Sequence, residues 1–157
     1  MAEFRRLLVP HDFSKQANGA LKVAARLAGR GGKLYVLHVV VPFLPVADVP
    51  TGVAAASYVN PDELVDGARR QLTRMVAKTL GAHPGVSVEC RVELGDPHER
   101  IIEAARGKDA IVMSTVGRTG FAHLLIGSVA EKVVRHSPVP VLTLRPEAIR
   151  KAQKRAG

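Results

Sequence analysis

Residues 112–128 read Val-Met-Ser-Thr-Val-Gly-Arg-Thr-Gly-Phe-Ala-His-Leu-Leu-Ile-Gly-Ser, and the chain runs on through Val129-Ala130-Glu131-Lys132 to Val139-Pro140-Val141-Leu142. An apolar strand ends at a glycine-bearing loop, and Gly127-Ser128 opens a helix that leads to another strand. Such a helix start directs free backbone N–H groups and the positive end of its dipole at one spot, which favours a bound phosphate. Gly117, Gly120 and Gly127 permit positive φ and a close approach of backbone to ligand. Ser128 is placed to cap the helix, with Glu131 completing a capping box. The pattern predicts a phosphate cradle; an ordinary loop before a capped helix is the alternative.

Outward from this stretch, apolar runs alternate with amphipathic ones, as in a doubly wound α/β domain. Leu7-Leu8-Val9 reads as a short buried strand ending at Pro10. Ser14 caps a helix whose Ala17, Leu21, Ala24 and Ala28 step at three or four residues. Leu34 to Val41 is a second strand, nearly continuous in apolar residues as expected of a parallel strand covered on both faces. Residues 42–60 are loop-like yet apolar, which predicts a cover for the ligand site or for a partner. Asn60-Pro61-Asp62-Glu63 starts a helix that stops at Gly81. Val86 to Leu94 alternates as an edge strand, and Asp96-Pro97-His98-Glu99 opens a short helix. Ala110 to Met113 and Val139 to Leu144 are the fourth and fifth strands. Right-handed crossovers order the five as an open parallel sheet, 3-2-1-4-5, with helices on both faces. Ligands of such sheets bind at the carboxyl ends of the strands where the order reverses. Those ends are Pro10-His11-Asp12 and Met113-Ser114-Thr115.

The signature stretch closely resembles that of the universal stress protein family, whose nucleotide-binding members carry G-x2-G-x9-G-S/T. Aligned on Gly127-Ser128, the second glycine is Gly117, the spacer runs from Arg118 to Ile126, and Ser114 stands where the first glycine is usual. The resemblance extends to Leu7–Ser14, Leu37-His38-Val39, Gly95-Asp96-Pro97 and Val139–Leu142, in the same order. It implies ATP or a related adenine nucleotide, with or without Mg2+, bound by a stress-response regulator. By resemblance, Gly117, Arg118, Gly127, Ser128, Val129 and Ala130 face the phosphates, although a hydroxyl residue is common at the Ala130 position. The backbone of Val39 receives the adenine, between Pro10 and Met113. Asp12 offers a carboxylate to ribose hydroxyls or adenine; capping the Ser14 helix is its other role. His11 departs from the small or β-branched residue usual there and is expected as a solvated histidine beside Asp12, with a phosphate donor as its other reading. Val116 replaces a polar residue, so the two departures at Ser114 and Val116 bear on affinity.

Size and composition agree with one domain. The 157 residues are 46% hydrophobic and 24% charged, the balance of a globular chain. No apolar run approaches the roughly 20 residues of a membrane span. The start runs straight into the first strand, and Cys90 has no second cysteine to pair with, so a cytoplasmic chain is expected. Of the net charge of +9, residues 145–157 supply +4, from Arg145, Arg150, Lys151, Lys154 and Arg155 against Glu147, and the rest is scattered. We read 1–146 as the domain and 147–157 as a solvated basic tail; nucleic-acid binding is disfavoured by the shortage of aromatic residues for stacking. Metal-ligand clusters, a P-loop and a nucleophile elbow are absent from the sequence, and no side chain is evidently a general base, so slow hydrolysis at most is expected. A homodimer is expected through strand 139–144, too apolar to stay an open edge. A nucleotide-free, dimeric interaction protein of the same family is the rival reading, and any protein partner is unidentified.

Overall fold

The computed structural model describes residues 4–42, 60–81, 85–116 and 126–154. Five strands, β1 (Arg6–Pro10), β2 (Gly32–Val40), β3 (Val86–Leu94), β4 (Ala110–Ser114) and β5 (Val141–Leu144), alternate with α1 (Lys15–Ala28), α2 (Pro61–Leu80), α3 (Pro97–Ala105), α4 (Ser128–His136) and α5 (Pro146–Lys154). The strands form one sheet in the order β3-β2-β1-β4-β5, and every pairing is parallel. This is the expected α/β topology, with the order reversing between β1 and β4.

Alternation along the strands splits the core into two layers. Leu7 and Val9 of β1, Leu34 and Val36 of β2 and Val112 of β4 face the layer built by α1, α2 and α5. Leu8, Leu37, Ile111 and Met113 face α3 and α4. Consecutive residues Leu7, Leu8 and Val9 are all at most 1% exposed, which explains why no polar residue interrupts them. On β3, at the sheet's edge, the two faces differ: Val86, Cys90 and Val92 pack against the first layer, while Ser87 and Arg91 are exposed.

The helix starts follow the side chains. Ser14 accepts a hydrogen bond from the N–H of Ala17, Asn60 from Asp62 and Asp96 from Glu99. Each of these caps satisfies an N–H that has no partner within its helix. Strand β5 begins two residues later than expected, at Val141. Pro140 contributes only its carbonyl, which accepts from the N–H of Ile111 at 2.9 Å, because proline has no N–H for the ladder.

The basic C-terminal segment is not the solvated tail expected. Its first residues fold as α5, and Ile149 is buried, 5% exposed, so the expected boundary after residue 146 falls within a docked helix. Its basic residues Arg145, Arg150, Lys151 and Lys154 do remain exposed. Gly19 on α1 makes the docking space: a Cβ there would collide with the Ile149 side chain. Arg26 of α1 adds a hydrogen bond from Nη1 to the carbonyl of Ala152 at 2.6 Å. The sequence signal was concealed because a single isoleucine among charges carries no periodicity.

Gly19 and Ile149 should therefore be energetically coupled. Gly19→Ala alone is expected to destabilise the protein and undock α5, and Ile149→Ala alone to cost about 2 kcal/mol from the lost packing. With Ile149 already alanine, Gly19→Ala should become stabilising by about 1 kcal/mol, the helix-propensity gain over glycine. Urea denaturation of the four proteins measures the coupling; additive effects would contradict this packing.

Candidate functional site

The carboxyl ends of β1, β2 and β4 and the first turns of α3 and α4 enclose a cavity of about 260 Å³. Its walls are Pro10-His11-Asp12 on one side, Val39 at the end of β2, and Met113-Ser114 facing Gly127-Ser128-Val129-Ala130. Every expected site residue within the described part lines this one cavity. Gly117 and Arg118, like Gly120, lie outside the described residues. The cavity's floor is apolar, with Leu37, Ile101 and Met113 drawn from the second core layer.

At the start of α4 two expectations are corrected. Gly127, not Ser128, is the N-cap, and the helix has no side-chain capping hydrogen bond. Ser128 is already the first helical residue, so its hydroxyl does not occupy the cap position. Glu131 pairs instead with Arg135 one turn on, at 3.0 Å, so the capping box is not formed. Gly127 is also not used for positive φ: its φ is −70° and ψ 155°. What requires glycine is close approach. Its N–H donates to the carbonyl of Thr115 at 2.7 Å, and an added Cβ would lie 3.2 Å from that same oxygen.

Thr115 is the fixed point of this arrangement. It is 4% exposed, its N–H donates to the Leu144 carbonyl at 3.0 Å, and its own carbonyl receives Gly127. The end of β5 and the start of α4 are thereby tied to the end of β4. Ser114, in the first-glycine position, closes on its own loop: its Oγ donates to the Val116 carbonyl at 3.0 Å and accepts from the Val116 N–H at 3.2 Å. A serine there thus supplies a local turn in place of a glycine's freedom.

The β1–α1 wall departs most from expectation. His11 is not solvated but 4% exposed. Its Nδ1 accepts the N–H of Phe13 at 3.0 Å, which requires the proton on Nε2. That N–H lies 3.2 Å from Asn18 Oδ1, which also accepts from the Thr79 hydroxyl of α2 at 3.0 Å. His38 Nδ1 donates in turn to the His11 carbonyl at 2.7 Å, and its ring stacks at a tilt on Phe13, 4.2 Å between centroids. Asp12 Oδ1 accepts from the N–H of Ser14 at 3.0 Å, so the carboxylate organises the turn into α1 while lining the cavity.

Burial lowers the His11 pKa to about 4, against the smaller opposing pull of Asp12 and the Asn18 hydrogen bond. The ring is neutral at neutral pH. Sequence reasoning placed Thr115 at the crevice and missed His38, Ala17, Pro97 and Ile101 as lining residues. Pro97 and Ile101 were signalled by the Asp96 cap, since α3 also starts at the carboxyl end of its preceding strand. His38 was not distinguishable from a strand residue packed under α1.

The model of the universal stress protein family matches residues 3–145. A universal stress protein of Thermus aquaticus is 34% identical, the match covering 90% of this chain and 99% of that one. Among solved structures, a Methanocaldococcus jannaschii protein superimposes with a TM-score of 0.65 at 27% identity, covering 92% of this chain and 97% of that one. A universal stress protein from Archaeoglobus fulgidus in complex with dAMP shares the fold at 21% identity and a TM-score of 0.57, covering 90% and 98%.

The buried neutral His11 gives a signed pH dependence. Its folded pKa, about 4, lies below the unfolded value near 6.5, so the unfolded chain binds more protons between those limits. The stabilisation is complete above about pH 6.5 and is lost as pH falls towards 4, by up to about 3 kcal/mol. Denaturation measured from pH 7 to 4 should show this slope, and His11→Asn should flatten it. Glu89, held below its usual carboxylate range by hydrogen bonds from Lys33 and Arg91, and Asp109, held down chiefly by the Arg6 backbone N–H, add to the slope at its acid end, so the difference between the native protein and His11→Asn isolates the histidine.

Proposed function

The chain belongs to the universal stress protein family, and from that premise we propose that it binds an adenine nucleotide, ATP first among them, in the cavity between β1, β4 and α4. One observation carries the reading: α4 starts at the cavity and no side chain caps it, whereas α1 and α3, whose first turns also reach the cavity, and α2 are each capped by a side chain. A phosphate is the group that an open, electropositive helix start at a cavity wall accommodates best.

In this reading the N–H groups of Ser128, Val129 and Ala130 hold phosphate oxygens, with Gly117 and Arg118 contributing from the signature loop. Asp12 takes a ribose hydroxyl, the Val39 backbone the adenine edge, and Pro10 and Met113 its faces. His11 is not a phosphate donor, because both ring nitrogens are engaged within the protein. The described residues contain no cluster of three metal-ligating side chains, so Mg2+ would arrive on the nucleotide's own phosphates, as that ion commonly does. That the Archaeoglobus fulgidus relative was solved with dAMP supports an adenine ligand in this fold. The role is binding and signalling: nucleotide alters the surface shown to a partner to the extent that it binds two states of the chain unequally.

We further propose a cytoplasmic homodimer paired through β5. Among the described strands β5 pairs only with β4, and Leu142 is 40% exposed. Antiparallel pairing about a two-fold axis would cover that edge in both copies and stop there. No helix among the described residues is long and apolar enough to cross a membrane.

Calorimetric titration with ATP tests the site. Binding at micromolar to low millimolar concentration is expected, and Gly127→Leu should weaken it more than tenfold, the new side chain forcing Thr115 and the α4 start apart. Absence of any heat at millimolar ATP would leave the nucleotide-free interaction protein as the better reading. Light scattering tests the dimer: Thr143→Pro should give monomer or aggregate, and a concentration-independent monomer of the native 16.8 kDa chain would exclude it.

A further inference from the structure

The loop between β1 and α1 contains a strained residue directly after the cavity-lining Asp12. Phe13 has φ 67°, the one non-glycine residue with positive φ among those described. A bulky residue adopts that left-handed conformation only where its surroundings enforce it. Here the enforcing contact is visible. The Phe13 N–H points at His11 Nδ1, and the His11 ring is itself anchored through Asn18 to α1 and Thr79 of α2. The backbone on either side is also held: two residues before Phe13 the His11 N–H donates to Leu37 O at 2.8 Å, and one residue after it the Ser14 N–H donates to Asp12 Oδ1. Asp12, between the clamp and the strained residue, lines the cavity.

We propose that His11 is a positioning residue for nucleotide binding, its Nδ1 clamping the left-handed Phe13 peptide and so fixing the Asp12 carboxylate in the cavity wall. The inference rests on the nucleotide reading above and adds to it a residue whose ring nitrogens act on the protein, through Asp12, and not on the nucleotide. Only a neutral ring with its proton on Nε2 can act in this way, because a protonated Nδ1 would confront the Phe13 N–H with a second donor. Burial, which disfavours the charged ring, keeps it in that form. Around it stand Asp12 on its own loop, Asn18 on α1, His38 on β2 and Thr79 on α2. His38 reinforces the clamp by binding the His11 carbonyl.

Two substitutions separate the two ring nitrogens. Asparagine at position 11 carries its side-chain oxygen about where Nδ1 lies and forms a local turn with the residue two further on. Glutamine reaches instead towards the Nε2 position and Asn18. Both lose one hydrogen bond and are expected to lose similar thermal stability. Affinity for ATP should differ: His11→Asn stays within about twofold of the native protein, while His11→Gln falls by roughly tenfold, the effect of one lost hydrogen bond at a positioned wall.

Calorimetry and melting curves on the three proteins decide between positioning and mere support. If affinity follows melting temperature in both variants, or neither variant changes affinity, the positioning role is overturned. Should the native protein bind no ATP, the nucleotide reading is what fails, and amide exchange at Phe13 then tests the clamp by itself. Protection retained in His11→Asn and lost at least tenfold in His11→Gln supports it; equal protection in both refutes it. Ring nitrogen shifts of the native protein provide a check that needs no variant to fold: a proton on Nε2 is expected, and a proton on Nδ1 would overturn the proposal.

Discussion

Burial of both faces of β1 is the constraint from which the remaining architecture follows. With Leu7, Leu8 and Val9 excluded from water together, neither face of the strand can be left open, and each needs its own layer of helices. The chain after β1 passes to the α1 layer, and the chain after β4, its neighbour, passes to the α4 layer. The connections leaving two adjacent strands therefore part in opposite directions, and the described residues leave a cavity above their carboxyl ends. The cavity is a consequence of how the core is covered. Its polar walls are the residues that the two diverging chains use to turn, which is why Asp12 and Ser114 are both turn-forming groups and cavity-lining ones.

The four helices with defined starts solve the same local problem in two ways. Three carry a side-chain oxygen where the first N–H groups need an acceptor. At α4 the cap position is a glycine held by its own N–H to Thr115, and no side-chain oxygen is supplied. A serine or aspartate at position 127 would offer one, but its Cβ would press on the Thr115 carbonyl. The close approach that ties α4 to β4 therefore also leaves the helix start open towards the cavity. Packing and electrostatics select the same residue here, for different reasons.

The sheet order could be read from the sequence because each buried strand is a short apolar run and each crossover a periodic segment with a cap residue before it. Ser14, Asn60 and Asp96 are local signals, acting within three residues, and each has its expected bond. The site's outline was legible for the same reason: the ends of β1 and β4 are fixed once the strands are. What escaped was set by distant partners. Nothing near His11 in the sequence says that α1 and α2 will close over it, since its burial depends on Asn18 and on Thr79, which is 61 residues beyond Asn18. The docking of α5 needs a gap at Gly19, near the other end of the chain, and a glycine within a helix reads simply as a weak spot. The reassigned cap at α4 turns on one residue of register, which caps and periodicity do not resolve.

A buried histidine and a left-handed phenylalanine both oppose stability, and their adjacency bears on function. Removing the imidazole from water disfavours its charged form, and Phe13 gives up a conformation that a bulky residue prefers. Either could be relieved by an ordinary change, an apolar residue at 11 or a glycine at 13. Elsewhere in the described chain, positive φ falls only on glycines, so the strain is not a general habit of this sequence. It is confined to the loop that carries Asp12 into the cavity wall. Strain that is local, enforced by named hydrogen bonds and placed beside a polar group is the pattern expected when geometry at a site, not stability, sets the choice of residues. On that physical ground the β1–α1 turn belongs to the proposed nucleotide site as much as the start of α4 does.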